Sequence, residues 1–161
     1  MSRVQLALRV SDLEGSIRFY SSLFGVEPAK RRPGYANFAV AEPPLKLVLL
    51  EGAPDRPTVM DHLGVEVETT DEVDDATARL SELGLLTLVE DDTTCCYARQ
   101  DKVWVHGPGD EPWEVYTVKQ DSPTFGTDCP TTSMAAAAEG PGASDACCGV
   151  TACCTSDETQ R

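Results

Sequence analysis

Two adjacent cysteines, Cys95 and Cys96, carry the most specific chemistry that can be read from this chain. Consecutive Cα atoms lie about 3.8 Å apart, below the roughly 4.4–6.8 Å usual for disulfide-bonded residues, so a bond between the two sulfurs would be strained. The pair is better suited to act as a dithiol that closes on one soft centre, such as trivalent arsenic or Cd²⁺. The alternative is two small buried apolar side chains, and the preceding acidic residues at 90–92 make it less attractive.

A second set consists of Gln5, His62 and Glu114, which lie in three segments with the period-two alternation of strands. Gln5 and His62 are each opposite their strand's apolar stripe, and Glu114 shares its face with Tyr116. An imidazole, a carboxylate and an amide carbonyl on a cupped sheet can hold a metal ion and leave positions open for catalysis. Spacing alone leaves the alternatives of a solvated strand residue at Gln5, a surface imidazole at His62 and an edge carboxylate at Glu114.

An internal repeat supplies the elements that would position these residues. Alternating apolar residues predict a strand over 4–10, and Ser11 and Glu14 then have the spacing of a capping box. A helix with one apolar face follows, and Gly25 is placed to end it in a left-handed conformation. Three further strands complete a βαβββ unit, over 28–32, 35–40 and 45–51.

The same unit recurs, because Thr69 and Glu72 repeat the capping box at an offset of 69 − 11 = 58 residues, and Gly84 repeats the helix end. Its strands are predicted over 62–67, 86–90, 102–106 and 112–118. A loop over 91–101, which holds the cysteine pair, has no counterpart in the first unit, and such insertions usually serve function. We therefore expect an α+β fold in which two βαβββ modules form a cupped mixed sheet around a metal site.

Composition divides the 161-residue chain near residue 120. Residues 1–119 predict a single domain, whereas 120–161 are rich in small and acidic residues and predict a disordered, Cys-rich C-terminal tail.

The formal charge of −14 would repel phosphate backbones and anionic lipids, so we expect neither nucleic acid nor a membrane as a partner. No apolar run approaches the roughly 18 residues of a membrane span, and the N-terminus does not resemble a signal peptide. These features predict a cytoplasmic protein.

Six stretches carry a resemblance to a known family: PGYANFA at 33–39, PLKLVLLE at 44–51, DHLGVEV at 61–67, TTCCYA at 93–98, QDKVWV at 100–105 and PWEVYTV at 112–118. Together with the repeat, they resemble the ArsI/CadI family of the vicinal oxygen chelate superfamily, which includes glyoxalase I and the extradiol dioxygenases. The resemblance covers nearly all of residues 1–119 and implies the vicinal oxygen chelate, or glyoxalase-like, fold for that domain.

The resemblance implies an Fe(II)- and O₂-dependent C–As lyase that releases arsenite from trivalent organoarsenicals such as methylarsonous acid, in arsenic detoxification. Gln5, His62 and Glu114 would hold the Fe(II), and Cys95 and Cys96 would bind the arsenic of the substrate. No catalytic residue is implied beyond the metal centre. Gln5 stands where many relatives have His, and an amide oxygen is a harder, weaker donor that suits Fe(II) better than Zn²⁺.

The predicted tail contains two more cysteine pairs, Cys147–Cys148 and Cys153–Cys154, which suggest accessory capture of arsenite or another soft ion. A tail without a role is the alternative. Two other functions stay open for the whole chain: a soft-metal (arsenite or cadmium) binding protein without catalysis, and a glyoxalase-like metal-dependent enzyme. The sequence also leaves a monomer and a domain-swapped homodimer open.

Overall fold

One eight-stranded sheet and two helices make up the computed structural model, which describes residues 2–126. The elements in chain order are β1 (Arg3–Val10), α1 (Leu13–Phe24), β2 (Lys30–Arg32), β3 (Tyr35–Val40), β4 (Leu45–Glu51), β5 (Val59–Glu66), α2 (Thr70–Glu82), β6 (Leu88–Cys95), β7 (Ala98–His106) and β8 (Pro112–Asp121). The predicted repeat of two βαβββ modules is confirmed.

The strand order β2-β3-β4-β1-β5-β8-β7-β6 places the first strands of the two modules side by side. β1 and β5 are antiparallel, and each pairs on its other side with a parallel strand, β4 or β8, from its own module. The sheet curls into a half-barrel, as expected. Its centre is therefore where residues from both modules meet.

Each helix begins at a side chain that accepts a hydrogen bond from a free backbone N–H of the first turn. The capping box of Thr69 and Glu72 is confirmed at α2. The one predicted at Ser11 and Glu14 is wrong, because Asp12 caps α1 by accepting from the N–H of Gly15. With Asp12 as the cap, the helix starts are offset by 69 − 12 = 57 residues, which is also the offset of Gln5 and His62, 62 − 5.

Apolar side chains under the helices form the convex side of the core. Under α1, Leu13 and Ile17 pack on alternate residues of β1, β3 and β4, and under α2, Val73 and Leu80 pack against Val103. The intervening residues of the same strands face the concave side. On that concave side, the polar side chains of Gln5, His62 and Glu114 are buried.

The predicted loop over 91–101 is instead a β-hairpin. β6 runs through Cys95, β7 starts at Ala98, and these two residues are partners across a turn formed by Cys96 and Tyr97. Both turn residues have positive φ, 55° and 62°, as a two-residue turn of type I′ requires. Such turns usually contain Asn or Gly, so the sequence Cys-Tyr gave no sign of one.

β8 continues two residues past the predicted domain boundary, to Asp121. The next residues pack against the hairpin, where the Ser122 N–H donates to the Tyr97 carbonyl and the ring of Phe125 lies 5.5 Å from that of Tyr97. The remaining predicted tail, with all four paired cysteines at 147–148 and 153–154, lies outside the described residues. No helix within 2–126 has the length and apolar character needed to cross a membrane.

Candidate metal centre and substrate cavity

The concave face of the sheet carries a row of neighbouring residues on five strands. Cross-strand pairing connects Trp104 to Glu114, Glu114 to Gly64, Gly64 to Gln5, and Gln5 to Lys46. Adjacent strands lie about 4.8 Å apart, so each residue of this row is close to its neighbours although they are distant in the sequence.

The side chains of Gln5, His62 and Glu114 meet at this row, as predicted. Gln5 Nε2 lies 3.0 Å from His62 Nε2 and 2.6 Å from Glu114 Oε1, and His62 Nε2 lies 3.4 Å from the same oxygen. All three residues are buried. The alternatives of a solvated amide, a surface imidazole and an edge carboxylate do not match this structure.

Asp61 orients the imidazole of His62. Its carboxylate accepts from Nδ1 at 2.7 Å, and its other oxygen lies 2.5 Å from Arg9 Nε. Nδ1 therefore carries a proton, and Nε2 faces Gln5 and Glu114. Burial lowers the pKa of His62, but the hydrogen bonds and charges of Asp61 and Glu114 outweigh it and raise the pKa to about 9.

Glu114 is kept charged by Lys102. The Lys102 ammonium lies 2.9 Å from Glu114 Oε2, and it is 1% exposed. Burial raises the pKa of Glu114, but the charges of Lys102 and His62 hold that pKa well below its usual range. The carboxylate is therefore ionised, with Oε1 turned towards Gln5 and His62.

Gly64 leaves the space in which these side chains converge. A Cβ atom at this position would lie 3.1 Å from Glu114 Cγ and 3.3 Å from both Cβ and Nε2 of Gln5. Any larger side chain would push apart Gln5 and Glu114, the residues on either side of Gly64 in the row. Sequence reasoning missed this residue, although it alternates with Leu63 and Val65 on the concave face of β5.

The donor set fits a divalent cation once the Gln5 amide turns over by half a turn. Gln5 Oε1 then occupies the place of Nε2. The amide oxygen of Gln5, the carboxylate oxygen Oε1 of Glu114 and the imidazole Nε2 of His62 then face one another. Donors about 2.1 Å from a common ion, at right angles, lie roughly 3 Å apart, close to the separations of 2.6–3.4 Å observed. Without a cation, the close approach of the two oxygens would be repulsive.

The hydrogen bonds around Gln5 accommodate both amide orientations. The Tyr116 hydroxyl lies 2.6 Å from Gln5 Oε1 and 3.1 Å from Glu66 Oε2. After the amide turns, the hydroxyl oxygen accepts from Nε2, and its proton is donated to Glu66. Arg3 holds Glu66 in place with two hydrogen bonds of 2.9 and 3.2 Å.

A cavity of about 170 Å³ opens above the three proposed ligands and reaches Cys95 and Cys96. The hairpin turn closes it, because the Tyr97 hydroxyl donates to the Pro33 carbonyl and the Tyr97 ring lies 5.4 Å from that of Tyr35. The structure thus brings both predicted groups to one cavity: the three predicted metal ligands form one group, and the cysteine pair forms the other.

Cys95 and Cys96 are not bonded to each other, since their sulfurs lie 3.2 Å apart. Cys95 takes part in a disulfide bond in the structure, so it must be reduced before the two thiols can act together. Burial raises the pKa of the Cys96 thiol to about 12. Cys96 is therefore a thiol, not a thiolate, in this state.

Several residues in or beside the cavity were not predicted as candidates for function. They are Asp61, Gly64, Lys102, Trp104 and Lys46. The alternation of Gln100, Lys102 and Trp104 along β7 was the available signal, because residues two apart share a strand face. Among the described residues, the indole Nε1 of Trp104 is one of four buried side-chain N and O atoms without a hydrogen-bond partner.

Residues 3–115 match the family model of the Glyoxalase/Bleomycin resistance protein/Dioxygenase superfamily. The chain is 70% identical over 125 residues to a trivalent organoarsenical cleaving enzyme of Thermomonospora curvata, covering 78% of this chain and 83% of that protein. It is 65% identical over 127 residues to the cadmium-induced protein CadI of Mycobacterium tuberculosis, covering 79% and 83% respectively.

Among solved structures, an extradiol ring-cleaving dioxygenase from B. fuscum superposes with a TM-score of 0.55 and 24% sequence identity. The match covers 74% of this chain and 33% of the dioxygenase. At this level of identity the likeness concerns the fold.

Proposed function

Because the chain belongs to the glyoxalase/bleomycin resistance protein/dioxygenase superfamily, and within it to the family of the organoarsenical cleaving enzymes and CadI, we propose that it cleaves the C–As bond of trivalent organoarsenicals. The observation that carries the proposal is the shared cavity, in which a cysteine pair suited to arsenic faces an amide, imidazole and carboxylate suited to a metal. Neither group alone would distinguish cleavage from binding.

Fe(II) is the proposed metal, and Gln5, His62 and Glu114 would hold it. When bound there, it would supply the activation of O₂ that oxidative cleavage of the bond requires. Asp61 keeps the imidazole in the tautomer that presents Nε2 to the metal, and Lys102 keeps the carboxylate ionised.

The reduced cysteine pair would position the substrate. Two bonds from Cys95 and Cys96 to one arsenic atom would fix it at the cavity wall, which leaves the third substituent, the carbon group, to extend into the cavity. Such orientation converts a reaction between separate molecules into one between neighbouring groups. The overall change balances for methylarsonous acid, since this molecule and one O₂ contain the atoms of arsenous acid and formaldehyde, with four electrons passing from carbon to oxygen.

The decisive experiment is arsenic speciation after anaerobic loading of the reduced protein with Fe(II), addition of methylarsonous acid and admission of air. We expect arsenite and formaldehyde in equal amounts. His62→Ala should abolish both products while the protein still binds trivalent arsenic, and His106→Ala, at a histidine outside the cavity, should change neither. Formation of arsenite by His62→Ala at the parental rate would contradict the assignment.

A binding protein for soft ions is the second candidate, favoured by the name of the cadmium-induced relatives. Sequestration needs the cysteines and does not need Gln5, His62 or Glu114. The same speciation experiment separates the two functions, because a sequestering protein would return methylarsonous acid unchanged after denaturation.

A further inference from the structure

Lys46 is the one cation of the cavity that has no carboxylate of its own within residues 2–126, because its ion-pair partner, Glu66, is shared with Arg3. Arg3 pairs with Glu66, Lys102 with Glu114 and His62 with Asp61. Lys30, the remaining cation of the cavity wall, lies 2.5 Å from Asp121.

The nearest carboxylate to Lys46 is already engaged. Lys46 Nζ lies 3.5 Å from Glu66 Oε2, an oxygen that accepts from Arg3 at 2.9 Å and faces the Tyr116 hydroxyl. Its other neighbour is the ring of Tyr116, 4.8 Å below it. A lysine that is only 8% exposed therefore keeps donors available on the cavity side.

The position of Lys46 relates it to the proposed chemistry. It is the cross-strand partner of Gln5, and its side chain shares the concave face with that residue. A group held by Lys46 would thus lie one strand beyond the three proposed ligands.

The cavity has room for one aromatic ring. Its volume of about 170 Å³ is comparable with the roughly 150 Å³ of an engineered cavity that holds benzene. A methyl group would leave most of this space to water, whereas a ring attached to arsenic at the cysteine pair would extend into the cavity.

We propose that the cavity selects trivalent aromatic arsenicals whose ring carries an anionic substituent, and that Lys46 recognises this substituent. The inference rests on the proposed function, which it deepens by specifying the substrate class. A buried ammonium that lacks a dedicated counterion gains most from a ligand that supplies one.

The test compares 4-carboxyphenylarsonous acid with 4-carbamoylphenylarsonous acid, which has the same size and a neutral amide in place of the carboxylate. We expect the reduced full-length protein to have the higher association constant for the carboxylate, measured by titration calorimetry under anaerobic conditions. Lys46→Met should lower that value on the order of 10- to 100-fold and leave the value for the amide nearly unchanged. The matched control is Lys30→Met, which removes a cavity lysine that has its own carboxylate and should preserve the preference.

Binding of benzoate and benzamide, followed by nuclear magnetic resonance, provides a readout that needs neither arsenic nor turnover. Stronger binding of benzoate that is lost in Lys46→Met supports the inference even if neither arsenical is cleaved, a result that would refute only the proposed function. Equal binding of the two probes, or an equal loss of both in Lys46→Met, would overturn the inference and leave Lys46 a structural partner of Glu66 and Tyr116.

Discussion

Metal binding should release a proton from His62 and should therefore strengthen as the pH rises. The pKa of about 9 means that His62 is protonated at pH 7 in the metal-free protein. A metal ligates only the unprotonated imidazole, so the proton must leave first. Displacing it at pH 7, two pH units below that pKa of about 9, costs roughly 3 kcal/mol.

The expected size of the effect follows from this single proton. Apparent affinity for Fe(II) should rise about tenfold per pH unit below a pH of about 9 and level off above it. Glu114 does not add to this dependence of Fe(II) affinity on pH, because its pKa is held well below its usual value and it is ionised throughout the range.

Anaerobic titration calorimetry with Fe(II) measures both quantities, the affinity at each pH and, from buffers of different ionisation enthalpy, the protons released. Asp61→Asn removes the negative charge beside Nδ1, so it should lower the pKa of His62 and flatten the slope. It should also lower the affinity at high pH roughly 10- to 100-fold, because the imidazole is less firmly oriented. His106→Gln is the control, since this half-buried histidine pairs with Asp110 outside the cavity.

An affinity that stays constant between pH 6 and 8.5, or a slope that Asp61→Asn leaves intact, would refute this reasoning. The first result would mean that His62 is not protonated before the metal binds. The second would mean that Asp61 does not control the imidazole.

Cys95→Ser and Cys96→Ser should each lose organoarsenical binding almost as fully as the double variant while retaining Fe(II), because a chelate depends on both bonds. Calorimetry on the reduced protein measures this binding. Tight arsenical binding by either single variant would contradict the paired role. Gly64→Val should weaken Fe(II) binding by more than tenfold while the far-ultraviolet circular dichroism is unchanged, since the added side chain enters the space between two proposed ligands. An iron affinity equal to that of the parent protein would show that this space is not needed. A chain that ends at Lys119 should be about 1–2 kcal/mol less stable to urea than one that ends at Gly126, because it lacks the aromatic and ionic contacts to the hairpin; equal midpoints would mean that these contacts contribute nothing.

The repeat, the face of each central strand and the two reactive groups can be read from the sequence alone. Period-two alternation is a local property, so it indicates, without any knowledge of the fold, that Gln5 and His62 lie opposite their apolar stripes and that Glu114 shares its face with Tyr116. The vicinal cysteines were equally local, because their chemistry follows from adjacency alone.

How those groups meet depends on the strand pairing of the folded chain. Gly64 matters because of what lies on the two neighbouring strands, and the pairing of β5 with β1 and β8 spans distances in sequence that no local pattern encodes. The hairpin at Cys96 and Tyr97 escaped prediction because its turn forces two non-glycine residues to positive φ, against their intrinsic preference. The shared counterion of Lys46 is likewise a property of the assembled cavity, since only the folded chain brings Arg3 and Lys46 to the same carboxylate, that of Glu66.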